Sequence, residues 1–211
     1  MSEFRGWGAD LRTFFTGLAE HNTRDYFEAN RDLYQRGVRE PAEALVATLA
    51  PRYGEGRIFR MNRDVRFSAD KRPYHTNLGI QFSGAGVHHY LSVSADQLFA
   101  SAGLFRPSRE WTGRFRLAVA GPPGDDLAKI VADLESRGLD IGGEELKRTP
   151  QGYPADHRNA RLLRFKSITV NRWWPVSAWL GNPAVLGLIT GFYAQAQPLT
   201  GWLSVHSPAG D

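Results

Sequence analysis

Between Arg57 and His75 the chain carries six basic residues, two aspartates and three aromatics in nineteen positions. Arg60, Asn62, Asp64 and Arg66 alternate there with Phe59, Met61, Arg63, Val65 and Phe67. Read as a strand, the segment sends successive side chains to opposite faces. One face is then apolar apart from Arg63, and the other is wholly polar. Arginine forks grip carboxylate or phosphate through paired N–H groups, and lysine adds a point charge. Arg60, Arg66 and Lys71 are therefore candidates for holding an anion. Asn62, Asp70 and the Tyr74 hydroxyl are further polar partners. Ser68-Ala69-Asp70 has turn chemistry, and Pro73 holds Arg72 extended.

A second cluster brings Lys147, Arg148, Tyr153, Asp156 and His157 into eleven positions. Asp156 is expected to cap a helix running through Leu162 and Leu163. That places the His157 imidazole beside a carboxylate, which raises its pKa, and a helix N-terminus, which lowers it. His157, working with Asp64, is the candidate general acid/base group. The net charge is +4, yet residues 57–75 and 147–166 together carry +9 and the remainder −5. Basicity focused in two places favours a local anionic partner over a generally cationic surface.

Other chemistry is disfavoured. There is no cysteine, so disulfides and thiolate catalysis are excluded. No phosphate-binding loop, nucleophile elbow or H-E-x-x-H pattern occurs. Gly84-Ala85-Gly86-Val87-His88-His89 opens like a dinucleotide fingerprint but has His in place of the third Gly, and reads as a turn. His88 and His89 point to opposite faces of a strand and cannot share a metal. Asp64, Asp70, Asp156 and His157 each have positive neighbours that repel a cation. No metal or other cofactor is expected.

Three readings stay open. The first is a small-molecule site in which the two basic segments meet at one cleft and hold a phosphate- or carboxylate-bearing ligand. An acid/base enzyme for hydrolysis or group transfer is one form of it. The second is a nucleic-acid module, with Tyr74, Tyr153, Trp173 and Trp174 stacking bases. The third is a structural ion network, in which Asp64 and Asp70 neutralise Arg60, Arg63 and Lys71 and lock a turn.

The elements that must position these residues follow from periodicity. Leu11, Phe14, Phe15 and Leu18 form a helical stripe. His21-Asn22-Thr23 breaks it, and Asn22 or Thr23 can cap the next helix. Helix then runs, kinked or restarted at Pro41, to Pro51. Strands are expected over 58–67, 78–82, 89–94 and 97–105, the last two joined through Ala95-Asp96. Ser108 and Asp125 are candidate caps for helices through Val119 and to Arg137. Ile168–Val170 reads as a last strand, with helices over 175–180 and 183–196. The pattern predicts an α+β fold, one domain over 1–211 with an ordered core at about 9–203 and a flexible tail from 207. It has a mostly antiparallel sheet with N-terminal and C-terminal helices packed against it. No apolar run approaches the roughly 18 residues of a membrane span. The N-terminus lacks the pattern of a signal peptide, so a cytoplasmic protein is expected.

Arg63-Asp64-x-Arg66-Phe67-Ser68-x-Asp70-Lys71-x-Pro73-Tyr74 resembles a signature of the bacterial domain-of-unknown-function family 2461. Leu146-Lys147-Arg148-x-Pro150-x-Gly152-Tyr153-x-x-Asp156-His157 resembles its second signature. Asn22-Thr23-Arg24-Asp25-Tyr26-Phe27 and Gly103-Leu104-Phe105-Arg106-Pro107 also match its pattern. Pro154 stands where an Asp is usual and Arg158 where a Pro is usual. A role for that Asp in relatives would be missing in this chain. The resemblance implies a single-domain cytoplasmic protein and brings no activity with it.

Overall fold

The computed structural model describes residues 3–84, 86–105 and 107–207. Eight α-helices and six strands are found there. They are α1 (Ala9–Glu20), α2 (Arg24–Ala29), α3 (Arg31–Tyr34), α4 (Glu40–Tyr53), α5 (Arg109–Ala120), α6 (Pro123–Ser136), α7 (Ala160–Leu163) and α8 (Ala184–His206). The strands are β1 (Glu55–Ile58), β2 (Asn77–Gly84), β3 (Val87–Ser94), β4 (Gln97–Leu104), β5 (Asp140–Gly142) and β6 (Ile168–Pro175). They form an antiparallel sheet in the order β1-β2-β3-β4-β6-β5, so the fold is α+β. No helix among the described residues is long and apolar enough to cross a membrane.

The chain divides into two compact units, and β2, β3, β4 and β6 contribute residues to both. The first comprises the chain up to Phe82 with Tyr90–Ala100 and Trp173–Gly191. Its helical part is built on Phe14, which is fully buried and touches the rings of Phe15, Tyr26, Phe27 and Tyr34. Thr23 caps α2 by accepting the Tyr26 N–H. A π-helical turn, Gln35–Arg39, carries α3 into α4. Pro41 sits in the first turn of α4, where its missing N–H costs nothing.

The second unit comprises Ser83–His89, Ser101–Arg172 and the chain from Phe192 onward. Trp111 stacks on Phe115, which meets Trp202 edge-on. The Trp111 indole donates to the Ser207 carbonyl and the Trp202 indole to that of Pro123. Ser108 caps α5 as expected. At Gly103 (φ +143°), an added Cβ would lie 2.3 Å from the Ile168 carbonyl oxygen. Only glycine permits that approach of β4 to β6. This accounts for one residue of the Gly103–Pro107 motif, of which Arg106 lies outside the described residues.

Several boundaries differ from expectation. Residues 59–67 are not a strand. β1 ends at Ile58, and Asn62 forms only an isolated bridge with Tyr74. The cause is local. Asp64 accepts the Arg66 N–H and Asp70 the Arg72 N–H, turns that compete with a sheet ladder. A hydrogen-bonded turn falls at Arg66-Phe67, closed by Ser68 N–H on the Val65 carbonyl, and the chain bends again at Ala69, within the expected 68–70. α4 continues past Pro51 to Tyr53. α6 starts at Pro123 rather than being capped by Asp125. β5 was not expected; it pairs Ile141 with Val170. β6 runs on to Pro175, leaving a 3-10 turn at Ala178–Gly181 in place of a helix. α8 passes through Pro198 to His206. The expected flexible tail lies, from 208 on, outside the described residues, whereas Ser207 is buried.

His89 is buried on β3 with its ring edge-on to Tyr193, and burial, helped by His88, lowers its pKa to about 4. The unfolded chain takes up this proton near pH 6.5, before the folded one does. Stability should therefore fall as pH drops from about 6.5 to about 4. The loss should be on the order of a few kcal/mol. Melting temperatures of wild type and His89→Phe across that window check it. Wild type should lose stability relative to His89→Phe as the pH falls, and a constant difference would contradict the assignment.

Candidate functional site

The first signature is a loop whose two ends are pinned together, all of it in the first unit. The Arg63 N–H donates to the Pro73 carbonyl and the His75 N–H to that of Met61, both at 2.8 Å. The outward-facing backbone groups of Tyr74 are taken by Asn22. Its amide nitrogen donates to the Tyr74 carbonyl, and its oxygen accepts the Tyr74 N–H, each at 3.0 Å. The side chain thus stands in for a neighbouring strand. The Tyr74 ring is buried and stacks on Phe27, with centroids 4.5 Å apart. The Asn22–Phe27 motif and the Pro73-Tyr74 end of the signature are therefore one contact.

Ion pairs close the rest of the loop. Arg63 Nη1 reaches Asp70 Oδ2 at 2.6 Å and the Arg72 carbonyl at 3.3 Å. Asp70 also receives the Arg72 guanidinium. These donors, Arg72 first and Arg63 next, hold the Asp70 carboxyl far below the usual carboxylate range. Arg66 forks onto Asp64, whose carboxyl is lowered for the same reason. Lys71 Nζ donates to the Val65 carbonyl at 3.1 Å. Arg60 and Asn62 are exposed. Burial alternates from Met61 to Arg66 as a strand reading expects, although no strand forms. Phe67 breaks the pattern, 96% exposed at the turn.

The second signature lies in the second unit. It is a loop between Glu145 and Phe165, which are themselves bridged. Buried Asn159 fixes its far end by donating to the Val119 carbonyl and to Asp125. Arg158 pairs with Asp125 at 2.6 Å, so this departure from the family pattern has a structural use. Asp156 is exposed and does not cap a helix, because α7 begins only at Ala160 and its N-cap is Asn159. The reason is the turns at Pro154–His157 and His157–Ala160, which delay the helix. His157 Nδ1 accepts the Asn159 N–H at 3.0 Å. In the neutral ring Nε2 then carries the proton.

Above this loop lies an open cavity of 470 Å³, lined by Arg148, Thr149, Tyr153, Ala155, Ala160, Arg161 and Arg164. Arg161 is held by Glu135 through two bonds of 2.7 and 3.1 Å. Arg164 makes a looser pair with Glu145 at 3.4 Å. Its Nε–H is buried without a hydrogen-bond partner among the described residues. Arg148 is exposed. Lys147, Asp156 and His157 do not line the cavity. Arg161 and Arg164, which also line it, lie beyond the quoted signature. Their spacing at i and i+3, bracketing Leu162-Leu163, was the available signal.

A family model described as a conserved hypothetical protein (DUF2461) matches residues 10–202. The chain belongs to this family. A search of curated proteins finds no match. In this DUF2461 member the first signature and the Asn22 motif form a pinned loop, and the second signature contributes a wall of an arginine-lined cavity.

Asn22→Ala leaves the N–H and C=O of buried Tyr74 without partners. An unsatisfied group costs about 1–3 kcal/mol, so the variant should lose roughly 2–4 kcal/mol in denaturant melts. Amide exchange at Arg63, Tyr74 and His75 should accelerate with it. Asp70→Asn tests the ion pairs by pH. A depressed carboxyl contributes its stability above the unfolded pKa of about 3.9, and loses it as pH falls towards the folded value. The melting-temperature gap between wild type and Asp70→Asn should therefore be full at pH 6 and shrink steadily below about pH 4.

Proposed function

We propose that this protein binds a small phosphate- or carboxylate-bearing ligand at the cavity of the second signature. The observation that carries the reading is Arg164. Its side chain lines the cavity, is only loosely paired, and has a buried N–H with no acceptor among the described residues. The fold leaves this guanidinium incompletely paired, and an anion in the cavity pairs with its exposed part. Arg148 adds a second guanidinium and Tyr153 a hydroxyl. A volume of 470 Å³ is within the range of small-molecule sites.

The first signature contributes less to this reading. Arg66 and Lys71 are engaged by their own loop, which favours a structural part for them. Binding is favoured over proton transfer as well. Asp64 is held ionised, away from the pH at which a carboxyl exchanges protons effectively. With Nδ1 of His157 accepting a backbone N–H, Nε2 is a donor and not a base.

The test is calorimetric titration with inorganic phosphate and citrate, with Arg148→Ala as the variant. A charge-assisted hydrogen bond contributes about 1.5–3 kcal/mol, so affinity should fall at least tenfold, with little change in melting temperature. Lys147→Ala, a like charge outside the cavity, should leave affinity within about twofold, as expected for a screened surface charge. Equal losses in the two variants would show general charge attraction and overturn the site. Tight binding of single-stranded DNA with a steep salt dependence would replace it with a nucleic-acid interface.

A further inference from the structure

The open face of the sheet in the first unit carries a second cavity with different chemistry. Its volume is 460 Å³, and no Asp, Glu, Lys or Arg lines it. Three walls are aromatic: Tyr90 from β3, Phe99 from β4 and Trp173 from β6. Trp173 is 46% exposed, one of few large apolar side chains left so open. The rings form a graded series. Trp173 lies 4.9 Å from Phe99, Phe99 6.1 Å from Tyr90, and Tyr90 6.2 Å from Phe59, centroid to centroid. Gly79 keeps part of the series in place, since a Cβ there would come within 2.8 Å of the Tyr90 hydroxyl and 3.0 Å of the Phe59 ring.

Between the rings stand small neutral donors and acceptors. The Asn77 amide donates to the Ser92 hydroxyl at 2.7 Å, which fixes both groups and leaves the Asn77 carbonyl oxygen and second N–H. The Thr76 hydroxyl and the Gln97 side-chain amide also line the trough. Neither makes a side-chain hydrogen bond among the described residues. Exposed rings cover the apolar face of a flat ligand, and amides and hydroxyls serve a ligand that both donates and accepts along its edge. A ligand held mainly by charge finds no partner in this lining. That disfavours a phosphate-dominated occupant, and the neutral amides and hydroxyls suit one rich in hydroxyls.

We propose that this trough binds a neutral saccharide, with a sugar ring on the face of Trp173 and its hydroxyls on Asn77 and Gln97. The site is separate from the anion cavity, and neither reading depends on the other. The alternative is that the rings serve only as cross-strand pairs stabilising the sheet.

The test uses three neutral hexasaccharides as probes, linear hexamers of α-1,4-glucose, β-1,4-glucose and β-1,4-N-acetylglucosamine. Each is titrated to roughly 10 mM, where even a millimolar binder saturates. Tryptophan fluorescence and amide shifts of labelled protein are read together. At least one probe should give saturable shifts at Asn77, Ser92, Gln97 and Phe99. Trp173→Ala should weaken it at least tenfold, equivalent to about 1.4 kcal/mol, and Gln97→Ala more modestly. Arg148→Ala should bind the sugar as wild type does. No saturable shift with any probe overturns the proposal. So does binding that survives Trp173→Ala in a variant whose melting temperature shows it folded. Stronger, salt-dependent shifts with oligothymidine at the same residues would also overturn it, in favour of base stacking.

Discussion

The arrangement of the first unit rests on one side-chain amide. Asn22 offers a donor and an acceptor in the geometry of a strand edge, and Tyr74 uses both. A loop of this length and charge has little hydrophobic reason to stay ordered. Closing it takes chain entropy, and its arginines would rather be in water. Pinning Tyr74 offsets this. The Tyr74 ring joins Phe27, which joins Phe14 at the centre of the helical cluster, so the loop is tied into the apolar core at one point. Arg63 and Asp70 then tie it across its middle. The half-exposed ion pairs contribute shape more than stability.

The two signatures accordingly do different work. In the first, two carboxylates inside the loop hold three guanidiniums, Asp64 taking Arg66 and Asp70 taking both Arg63 and Arg72. In the second, the acids that pair with the arginines come from elsewhere in the chain. Glu135 takes Arg161, Asp125 takes Arg158 and Glu145 takes Arg164 loosely. Arg148 remains exposed at the rim. Positive charge not fully engaged by the fold is what an anion can exploit, and exposed Arg148 and loosely paired Arg164 are the groups that our proposed site relies on.

Elements with strong periodicity were legible in the sequence. The Leu11–Leu18 stripe is α1, the Ala95-Asp96 hairpin joins β3 and β4, and Ser108 caps α5. The strand expected at 59–67 had the right alternation and the wrong structure. Period two reports only that the chain shows alternate sides to the core, and an extended loop does this as well as a strand. What decided the matter was the spacing of Asp64 and Asp70 two residues before an arginine, where the carboxylate captures the next free N–H. The lateness of α7 has a like cause. Asp156 is a good cap in isolation, but two successive turns and buried Asn159 placed the helix start further on. The roles of Asn22 and Arg164 were not legible, because each depends on a partner 52 and 19 positions away. The basic segments themselves were found by counting charge. Which arginines keep surplus charge is a property of the folded partners.

The central claim is that the second signature, and not the first, carries the anion. Phosphate titrated into uniformly labelled protein at constant ionic strength, followed by backbone amide shifts, tests this most directly. Saturable shifts should gather at Arg148, Tyr153, Ala155, Ala160 and Arg164, while the amides from Met61 to His75 stay still. Saturable shifts centred on Arg60, Arg66 and Lys71, with the residues around Arg164 unmoved, would contradict it.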